Sequence, residues 1–168
     1  MTETMWEGRY LTVRKQGSWE YAERQGQIGA AVIVAVDDQG RLVMVEQFRI
    51  PIGRRTLELP AGLVGDETEG ESLATAAARE LEEETGFRPA AIEDLGLFYS
   101  SPGMTSESFH IVRATGLERV SAGGGDGQED ITVHLVPLAE VADYIRQARE
   151  RGLGIDAKTL LVLDIATM

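Results

Sequence analysis

Four glutamates and one arginine fall within residues 79–84, and their spacing on a helix suits metal binding. At about 100° per residue, Glu80 and Glu84 lie within about 40° of each other, and Glu83 flanks Glu80 by about 60°. Arg79 and Glu83 form an i, i+4 pair, so the arginine can hold one carboxylate in place. Converging carboxylates repel each other, and a hard divalent cation such as Mg²⁺ cancels that repulsion. The alternative is a solvated face, which is typical of Glu-rich helix ends.

The longer segment around these glutamates favours the metal site. Residues 65–87 read GDETEGESLATAAARELEEETGF. This stretch resembles the 23-residue box of Nudix hydrolases at every constrained position, from the first glycine through Arg79-Glu80-Leu81 and Glu83-Glu84 to Gly86-Phe87. The resemblance implies hydrolysis of a nucleoside diphosphate linked to another moiety, with Mg²⁺ or Mn²⁺ as cofactor.

The same resemblance implies roles for individual residues. It places Glu80, Glu83 and Glu84 among the metal ligands, together with the backbone carbonyl of Ala61 in the stretch Leu59-Pro60-Ala61-Gly62. It makes Glu83 and Glu84 catalytic as well. A bound cation bridges the acidic site and the anionic substrate, lowers the pKa of an attacking water and stabilises the leaving phosphate.

A second motif indicates the substrate class. Residues 101–107 read SPGMTSE, which is similar to the SPGxxxE signature of the ADP-ribose and nucleoside-diphosphate-sugar pyrophosphatase branch. The resemblance implies that Met104 and Glu107 contact substrate. An ordinary Pro-Gly turn is the alternative interpretation of this stretch.

The residues before the box resemble the same branch. Arg49, in the run EQFR at 46–49, is expected to contact phosphate, because a guanidinium binds phosphate through two parallel hydrogen bonds. Arg55 and Glu58 are further candidates for substrate binding. For Arg55 a solvated loop charge is an equally good interpretation, and Glu58 is an alternative candidate for supporting another binding residue.

The N-terminal segment is predicted to form a hairpin over residues 9–25, on both sides of Gly17-Ser18. It resembles the segment through which members of this branch form homodimers and clamp the adenine ring. The candidates for that contact are Tyr10, Trp19, Tyr21 and Arg24. The alternative is that these aromatic side chains belong to an interface or to the core.

The loop before the last strand departs from the family pattern. Related enzymes carry a glutamate there that is proposed as the general base, and Gly127 stands where we expect it. Glu129 is the best remaining candidate for the base, and Asp126 is the next. The glycines at 123–125 predict a mobile hinge that lets an acid approach bound substrate.

The hydrophobic pattern predicts the elements that must position these residues. We expect strands over 29–36, 42–48, 92–99, 107–114 and 131–136, a helix from the N-cap Ser72 to the C-cap Gly86, a helix near 141–148, and a last helix capped by Asp156. The predicted fold class is α+β, an α/β/α sandwich with a mixed central sheet and an N-terminal β-hairpin segment. Residues 1–28 form the dimerisation segment and residues 29–168 the hydrolase domain. His110 and His134 are expected to be structural.

Composition excludes several other functions. The chain has 168 residues, a net charge of −12 and no cysteine. The charge argues against nucleic acid and anionic membranes as partners. The absence of cysteine removes disulfides, thiolate metal sites and cysteine nucleophiles, and it fits a cytoplasmic location.

Three functions follow from the sequence. The first is metal-dependent hydrolysis of ADP-ribose to AMP and ribose 5-phosphate by a homodimer. The second is hydrolysis of GDP-mannose or another nucleotide sugar, because the triple glycine at 123–125 and the stretch IDAKT at 155–159 are similar to that sub-branch. The third is a module that binds ADP-ribose without cleaving it, against which the intact set of glutamates argues.

Overall fold

The computed structural model describes residues 1–25, 29–65, 70–125 and 130–165. Within them the helices are α1 (Leu73–Thr85), α2 (Val141–Glu150) and α3 (Lys158–Ile165). The strands are β1 (Thr2–Glu7), β2 (Leu11–Gln16), β3 (Trp19–Arg24), β4 (Gly29–Ala35), β5 (Arg41–Arg49), β6 (Arg54–Glu58), β7 (Ala61–Val64), β8 (Phe87–Arg88), β9 (Ala91–Tyr99), β10 (Ser108–Thr115), β11 (Glu118–Arg119), β12 (Thr132–Pro137) and β13 (Gly154–Ile155). None of these helices is long and apolar enough to cross a membrane.

Two four-stranded sheets form the centre of the molecule. The first has the order β7-β4-β10-β9, and the second has the order β12-β5-β6-β13. Each combines antiparallel pairs with one parallel pair, β4 with β10 and β6 with β13. The prediction of a mixed sheet is therefore confirmed.

The side chains of β4 show how these sheets are covered. Val32 and Val34 pack into one core cluster, which includes residues of β5, β10 and α2. Ala31 and Ile33 point the other way, into a cluster formed with Ala77 and Leu81 of α1. A strand buried on both faces requires an uninterrupted apolar sequence, which is the pattern that predicted it. The layers agree with the predicted α/β/α sandwich.

The ends of α1 are set by local signals. The hydroxyl of Ser72 accepts a hydrogen bond from the amide of Thr75 at 3.1 Å. Gly86 adopts a φ of 75°, and its amide donates to the carbonyl of Glu82 at 2.8 Å. Residues that carry a Cβ rarely adopt this left-handed backbone conformation, so glycine suits the position. Both predicted caps are confirmed, and they fix where the glutamates of the helix lie.

The N-terminal segment contains the predicted hairpin and one additional strand. Strands β2 and β3 form the expected pair, and β1 adds a third antiparallel strand. All six residues of β1 are exposed. On the opposite edge, the amide of Ala22 donates to the carbonyl of Met104 at 2.9 Å, and the amide of Ser106 donates back to Ala22 at 3.0 Å. The N-terminal sheet thus rests on the Pro-Gly loop at 101–107.

Candidate active site

A cavity of about 890 Å³ opens beside the two central sheets. One wall is formed by β7 and α1, and another by the end of β5 together with β6. The lining also includes Arg24 of β3, Phe109 of β10, and Asp156 and Lys158 at the start of α3. Elements from the whole length of the chain therefore meet at this one opening.

The wall between β7 and α1 carries two carboxylates. Glu84 is 3% exposed, and its Oε2 accepts a hydrogen bond from the amide of Ala61 at 3.1 Å. Glu80 lies against Gly62, where a Cβ would stand only 1.9 Å from Cδ of Glu80. Glycine at position 62 is therefore required for this close approach. The structure brings Glu80, Glu84 and Ala61 together on one wall, as expected from the sequence.

Arg79 connects several of the acidic side chains. Its Nη1 donates to Glu80 at 3.0 Å and to Glu83 at 3.3 Å. Its Nε and Nη2 reach the two oxygens of Glu71, each at 3.3 Å. The expected pair of Arg79 with Glu83 is present. Glu83 does not line the cavity, and its side chain is 40% exposed.

The acidic side chains that the structure describes do not form a preassembled metal cage. Among the residues that the structure describes, no group of three or more acidic or histidine side chains is arranged to hold a metal ion alone. On the wall between β7 and α1, Glu80, Glu84 and a segment of backbone face the cavity, and ligands from solvent or substrate are needed to complete a coordination shell. That requirement fits Mg²⁺, which keeps several waters and binds substrate phosphate oxygens.

A fixed arginine lies on the wall formed by β5 and β6. Arg49 donates to both oxygens of Glu58, from Nε at 2.8 Å and from Nη2 at 2.6 Å. Glu58 is 4% exposed, whereas the Arg49 side chain remains 43% exposed. The hydrogen bond to Glu58 raises the pKa of Arg49, and the charges of Glu84 and Asp156 raise it further. The guanidinium is thus held in one orientation and stays charged.

Two further predicted residues meet at the end of the cavity nearest the N-terminal sheet. Nη2 of Arg24 donates to Oε1 of Glu107 at 3.0 Å. The hydroxyl of Ser100 donates to the second oxygen of Glu107 at 3.1 Å. All three residues line the cavity. The contact joins β3 directly to the residue that ends the SPGMTSE motif.

Other predicted residues lie away from this cavity. Tyr10 and Met104 are 63% and 70% exposed and do not line it. Trp19 lines a separate groove of about 570 Å³ beside Tyr21 and the loop at 101–107. This groove adjoins the edge at which the N-terminal sheet meets that loop.

Arg55 and the predicted general base are also absent from the described lining. The guanidinium of Arg55 pairs with Glu46 at 2.6 Å and with Asp130 at 2.7 Å. Glu129 and Asp126 lie outside the described residues. The glycine segment predicted to be a mobile hinge is attached to α1 in its described part, where the amide of Gly124 donates to the carbonyl of Glu84 at 2.9 Å.

Both histidines make structural contacts. His134 lies between Glu46 and the hydroxyl of Tyr144, at 3.2 Å and 2.9 Å. His110 contacts the carboxylate of Asp94 at 3.0 Å. Neither ring lines the cavity.

Sequence reasoning missed the wall formed by α3. Lys158 lines the cavity, contacts the carboxylate of Asp156 and lies 5.6 Å from the centroid of the Phe109 ring. The ammonium group thus lies over the ring and is held by Asp156 at the N-terminus of α3. The stretch at 155–159 predicted the helix cap Asp156 and a similarity to one sub-branch, but not the contribution of Lys158 to the cavity.

Comparison with known proteins agrees with this geometry. The model of the NUDIX domain family matches residues 26–154. The chain belongs to the NUDIX family. ADP-ribose pyrophosphatase of Bacillus subtilis is 42% identical over 136 residues, which cover 81% of this chain and 70% of that protein. ADP-ribose pyrophosphatase of Mycobacterium tuberculosis is 42% identical over 115 residues, covering 68% of this chain and 55% of that protein.

A solved structure also resembles the fold. The crystal structure of an ADP compounds hydrolase superposes with a TM-score of 0.70 at 27% identity, covering 87% of this chain and 80% of that one. The NUDIX match includes Arg49, Glu58 and the acidic helix. It begins after β3 and ends before α3, so Arg24 and Lys158 contribute to the cavity from outside the matched range.

Proposed function

We propose that this NUDIX hydrolase cleaves the diphosphate bond of ADP-ribose and yields AMP and ribose 5-phosphate. The observation that carries the proposal is the single cavity in which Glu80 and Glu84 on α1 share the lining with the fixed guanidinium of Arg49. A diphosphate requires both features, because carboxylates bind a cation and a guanidinium binds phosphate oxygens directly.

Glu80, Glu84 and the backbone of Ala61 are the groups that would hold a divalent cation, with Glu83 as a further candidate. NUDIX hydrolases generally use divalent metals, and we propose Mg²⁺ here, with Mn²⁺ as the alternative. The donor set is all oxygen and leaves places for water and phosphate, as Mg²⁺ prefers. When bound, the cation supplies charge neutralisation and makes a coordinated water more acidic.

Arginine and lysine side chains give an acidic protein a place for an anion. The chain carries a net charge of −12, yet three of the described cations line the cavity: Arg24, Arg49 and Lys158. Because Glu58 fixes the guanidinium of Arg49, little side-chain entropy is lost when that group binds phosphate. Arg49 is therefore the proposed phosphate contact. Glu107 is the proposed contact for substrate hydroxyl groups.

We assign the catalytic roles to Glu83, Glu84 and Glu129. Glu129 is the proposed general base, which accepts a proton from the attacking water. Glu84 lies on the cavity wall, whereas Glu83 does not line the cavity and accepts a hydrogen bond from Arg79. The choice of Glu129 over Asp126 stays a prediction from the sequence, since both lie outside the described residues.

We also propose that the protein is a homodimer, formed through residues 1–28 and separate from the hydrolase domain at 29–168. A three-stranded sheet with an entirely exposed first strand buries little apolar surface by itself, and Met5 and Trp6 of β1 are 53% and 57% exposed. Contacts of Tyr10, Trp19 and Arg24 with adenine belong to the same proposal. A cytoplasmic location, and the absence of nucleic acid and membrane partners, stay predictions from composition.

A second candidate keeps the chemistry and changes the substrate. The sequence similarities at 123–125 and 155–159 favour a nucleotide sugar such as GDP-mannose, and the second of these stretches supplies the cavity residues Asp156 and Lys158. A module that binds ADP-ribose without cleaving it is the candidate from another class. Glu80 and Glu84 of the acidic helix, which line the cavity, favour catalysis over such a sensor.

A coupled assay tests these possibilities. Alkaline phosphatase releases inorganic phosphate from AMP and ribose 5-phosphate but not from intact ADP-ribose, so phosphate release reports cleavage. We expect turnover with Mg²⁺ and none in EDTA, with AMP in the EDTA arm measured by chromatography because EDTA also inactivates alkaline phosphatase. In Glu84→Gln kcat falls by about 100-fold or more, whereas Glu82→Gln stays within about twofold of wild type. Glu82 is a matched control, because it lies on the same helix but binds Arg88 and does not line the cavity.

The remaining outcomes separate the alternatives. Turnover of GDP-mannose at a higher kcat/KM than ADP-ribose would replace the substrate and keep the mechanism. Thermal protection by ADP-ribose without turnover would indicate the binding module. Equal activity of Glu84→Gln and wild type would refute the assignment of this wall of the cavity. Sedimentation equilibrium tests the homodimer, and a single monomeric species at micromolar concentration would contradict it.

A further inference from the structure

The contact between Arg24 and Glu107 lies in the lining of the cavity and joins residues that are 83 positions apart in the chain. Nη2 of Arg24 donates to Oε1 of Glu107 at 3.0 Å. The hydroxyl of Ser100 donates to Oε2 at 3.1 Å, so each oxygen of the carboxylate has a protein donor. A carboxylate oxygen can accept two hydrogen bonds. Glu107 is therefore held from two sides and can still accept hydrogen bonds from a ligand.

The backbone before Glu107 is attached to the strand that carries Arg24. Ala22 precedes Arg24 by two residues on β3. Its amide donates to the carbonyl of Met104 at 2.9 Å, and its carbonyl accepts from the amide of Ser106 at 3.0 Å. Because these two hydrogen bonds fix β3 against the loop, the side chain of Arg24 is placed within reach of Glu107.

Glu107 places a negative charge in the cavity that is proposed to bind an anionic substrate. A carboxylate repels the charge of a nearby diphosphate. The ion pair with Arg24 offsets this repulsion, while the oxygens of Glu107 keep their capacity as acceptors. The hydroxyl groups of a sugar are donors that such oxygens can bind. The pair of Arg24 and Glu107 therefore suits a sugar hydroxyl better than a phosphate group.

We infer that Arg24 is a positioning residue for substrate binding: it orients the carboxylate of Glu107, which binds the hydroxyl groups of a ribose of the substrate. This inference rests on the proposed function. The resemblance implied a contact of Arg24 with adenine, whereas the structure directs its Nη2 to Glu107. Because Glu107 is held before substrate arrives, less side-chain entropy is lost on binding. Arg24 precedes the NUDIX match, which begins at residue 26, so the N-terminal sheet contributes to the substrate site within one chain.

The N-terminal sheet offers a matched ion pair outside the cavity. Nε of Arg14 on β2 donates to the carboxylate of Glu23 on β3 at 2.7 Å. These side chains are 34% and 40% exposed, close to the 32% and 38% of Arg24 and Glu107. Neither Arg14 nor Glu23 lines the cavity. Loss of this pair therefore measures what an arginine of the same exposure contributes to the sheet alone.

Steady-state kinetics of Arg24→Met test the inference, with ADP-ribose and Mg²⁺ in the full-length protein. A contact made equally in the ground state and the transition state changes KM and leaves kcat unchanged. We expect KM to rise about tenfold with kcat within about threefold of wild type, and a smaller rise in Arg24→Lys, which keeps the charge. Arg14→Met is the control and should keep KM within about twofold of wild type. Both methionine variants should keep the wild-type Tm, since ion pairs of this exposure contribute little to stability.

The decisive measurement places Arg24→Met in a Glu107→Ala background. If Arg24 acts through Glu107, the tenfold effect on KM shrinks to less than about twofold once the carboxylate is gone. A direct contact of Arg24 with adenine would give an equal effect in both backgrounds, and that result would overturn the inference. An unchanged KM in Arg24→Met would overturn it as well.

Competition by ADP identifies which ribose Glu107 binds, because ADP carries the adenosine ribose and lacks the terminal one. AMP is measured by chromatography against a blank with ADP alone, since alkaline phosphatase would consume ADP. An unchanged Ki for ADP in Arg24→Met, beside the raised KM for ADP-ribose, assigns the contact to the terminal ribose. A raised Ki that becomes insensitive to Arg24→Met in the Glu107→Ala background assigns it to the adenosine ribose. Failure of the wild-type protein to cleave ADP-ribose would refute the proposed function, whereas equal KM values in Arg24→Met and wild type would refute only the role of Arg24.

Discussion

Replacing Gly62 by alanine tests how the acidic wall is built. Gly62 lies on β7, and a Cβ at this position would stand 1.9 Å from Cδ and 2.2 Å from Oε1 of Glu80. Ordinary contact begins near 3.4 Å, so one of the two groups must move by about 1.5 Å (3.4 − 1.9). The backbone of β7 is paired with β4 through Val32 and Ala61, whereas Glu80 is a long side chain. The carboxylate of Glu80 is therefore the group that moves.

The size of the effect follows from that displacement. A misplacement of about 1 Å at a reacting centre lowers the rate by about 100-fold, so we expect kcat to fall by at least that factor. Stability changes much less. Alanine gains about 0.5–1 kcal/mol over glycine inside a strand, and the weakened contact of Glu80 with Arg79 costs about as much. The Tm should stay within about 4 °C of wild type.

The assay measures kcat and the Mg²⁺ concentration for half-maximal activity, with Tm recorded for each variant. We expect the Mg²⁺ requirement of Gly62→Ala to rise by about tenfold or more, because Glu80 is a proposed ligand. Gly29→Ala is the matched control, since Gly29 lies on the neighbouring strand β4 and a Cβ there meets nothing within 4 Å. A kcat within threefold of wild type would refute the reasoning. So would a large loss of Tm, because it would mean that the backbone moved instead.

Three further perturbations test other parts of the molecule. Gly123→Ala should lower the free energy of unfolding by more than about 2 kcal/mol in urea denaturation. The reason is that Gly123 has a φ of 71° and that a Cβ there would lie 2.4 Å from the backbone of Thr85. Gly40→Ala is the control, with a φ of 73° but open space around the Cβ, and should lower the free energy of unfolding by about 1–2 kcal/mol. Arg49→Met leaves Glu58 buried without its partner and should cost about 3–5 kcal/mol by the same measurement, whereas Arg49→Lys keeps the charge and mainly raises KM. Burial raises the pKa of Asp37, but hydrogen bonds from Arg41 and Gln39 outweigh it and lower the pKa below its ordinary value of 3.8. Because the folded-state pKa is the lower one, ionised Asp37 stabilises the protein at pH values above the unfolded-state pKa. That stabilisation is lost as the pH falls through the folded-state pKa. We therefore expect Tm to decrease when the pH is lowered below about 4, and to decrease less steeply in Asp37→Asn.

The sequence predicted best what local signals determine. The caps Ser72 and Gly86 act through hydrogen bonds within a few residues, so both ends of α1 were predictable from composition and position. The shared face of Glu80 and Glu84 follows from helical periodicity alone. Strand β4 was predictable because it is buried on both faces and therefore continuously apolar.

The contacts between distant parts of the chain were not predictable in this way. Arg55 and Asp130 are 75 residues apart, and only the pairing of β5 with both β6 and β12 brings them together. Strands β6 and β7 are short and flank a proline, so they lack the alternation that identifies longer strands. The exposed β1 carries no burial pattern at all. These features depend on neighbours that a single sequence does not reveal.

Ion pairs with arginine explain how the acidic residues in and around the cavity are accommodated before any cation binds. Arg79 forms ion pairs with Glu71, Glu80 and Glu83. Each of three further arginines in or near the cavity pairs with at least one carboxylate: Arg24, Arg49 and Arg55. Two of these four, Arg79 and Arg55, each bind more than one acid. The chain has only two lysines, Lys15 and Lys158. A guanidinium holds two carboxylates in fixed directions, whereas an ammonium group sets no such orientation. The arginines therefore do more than balance charge, because they also orient the carboxylates. A cation that binds these oriented carboxylates would complete its coordination shell with water and phosphate oxygens.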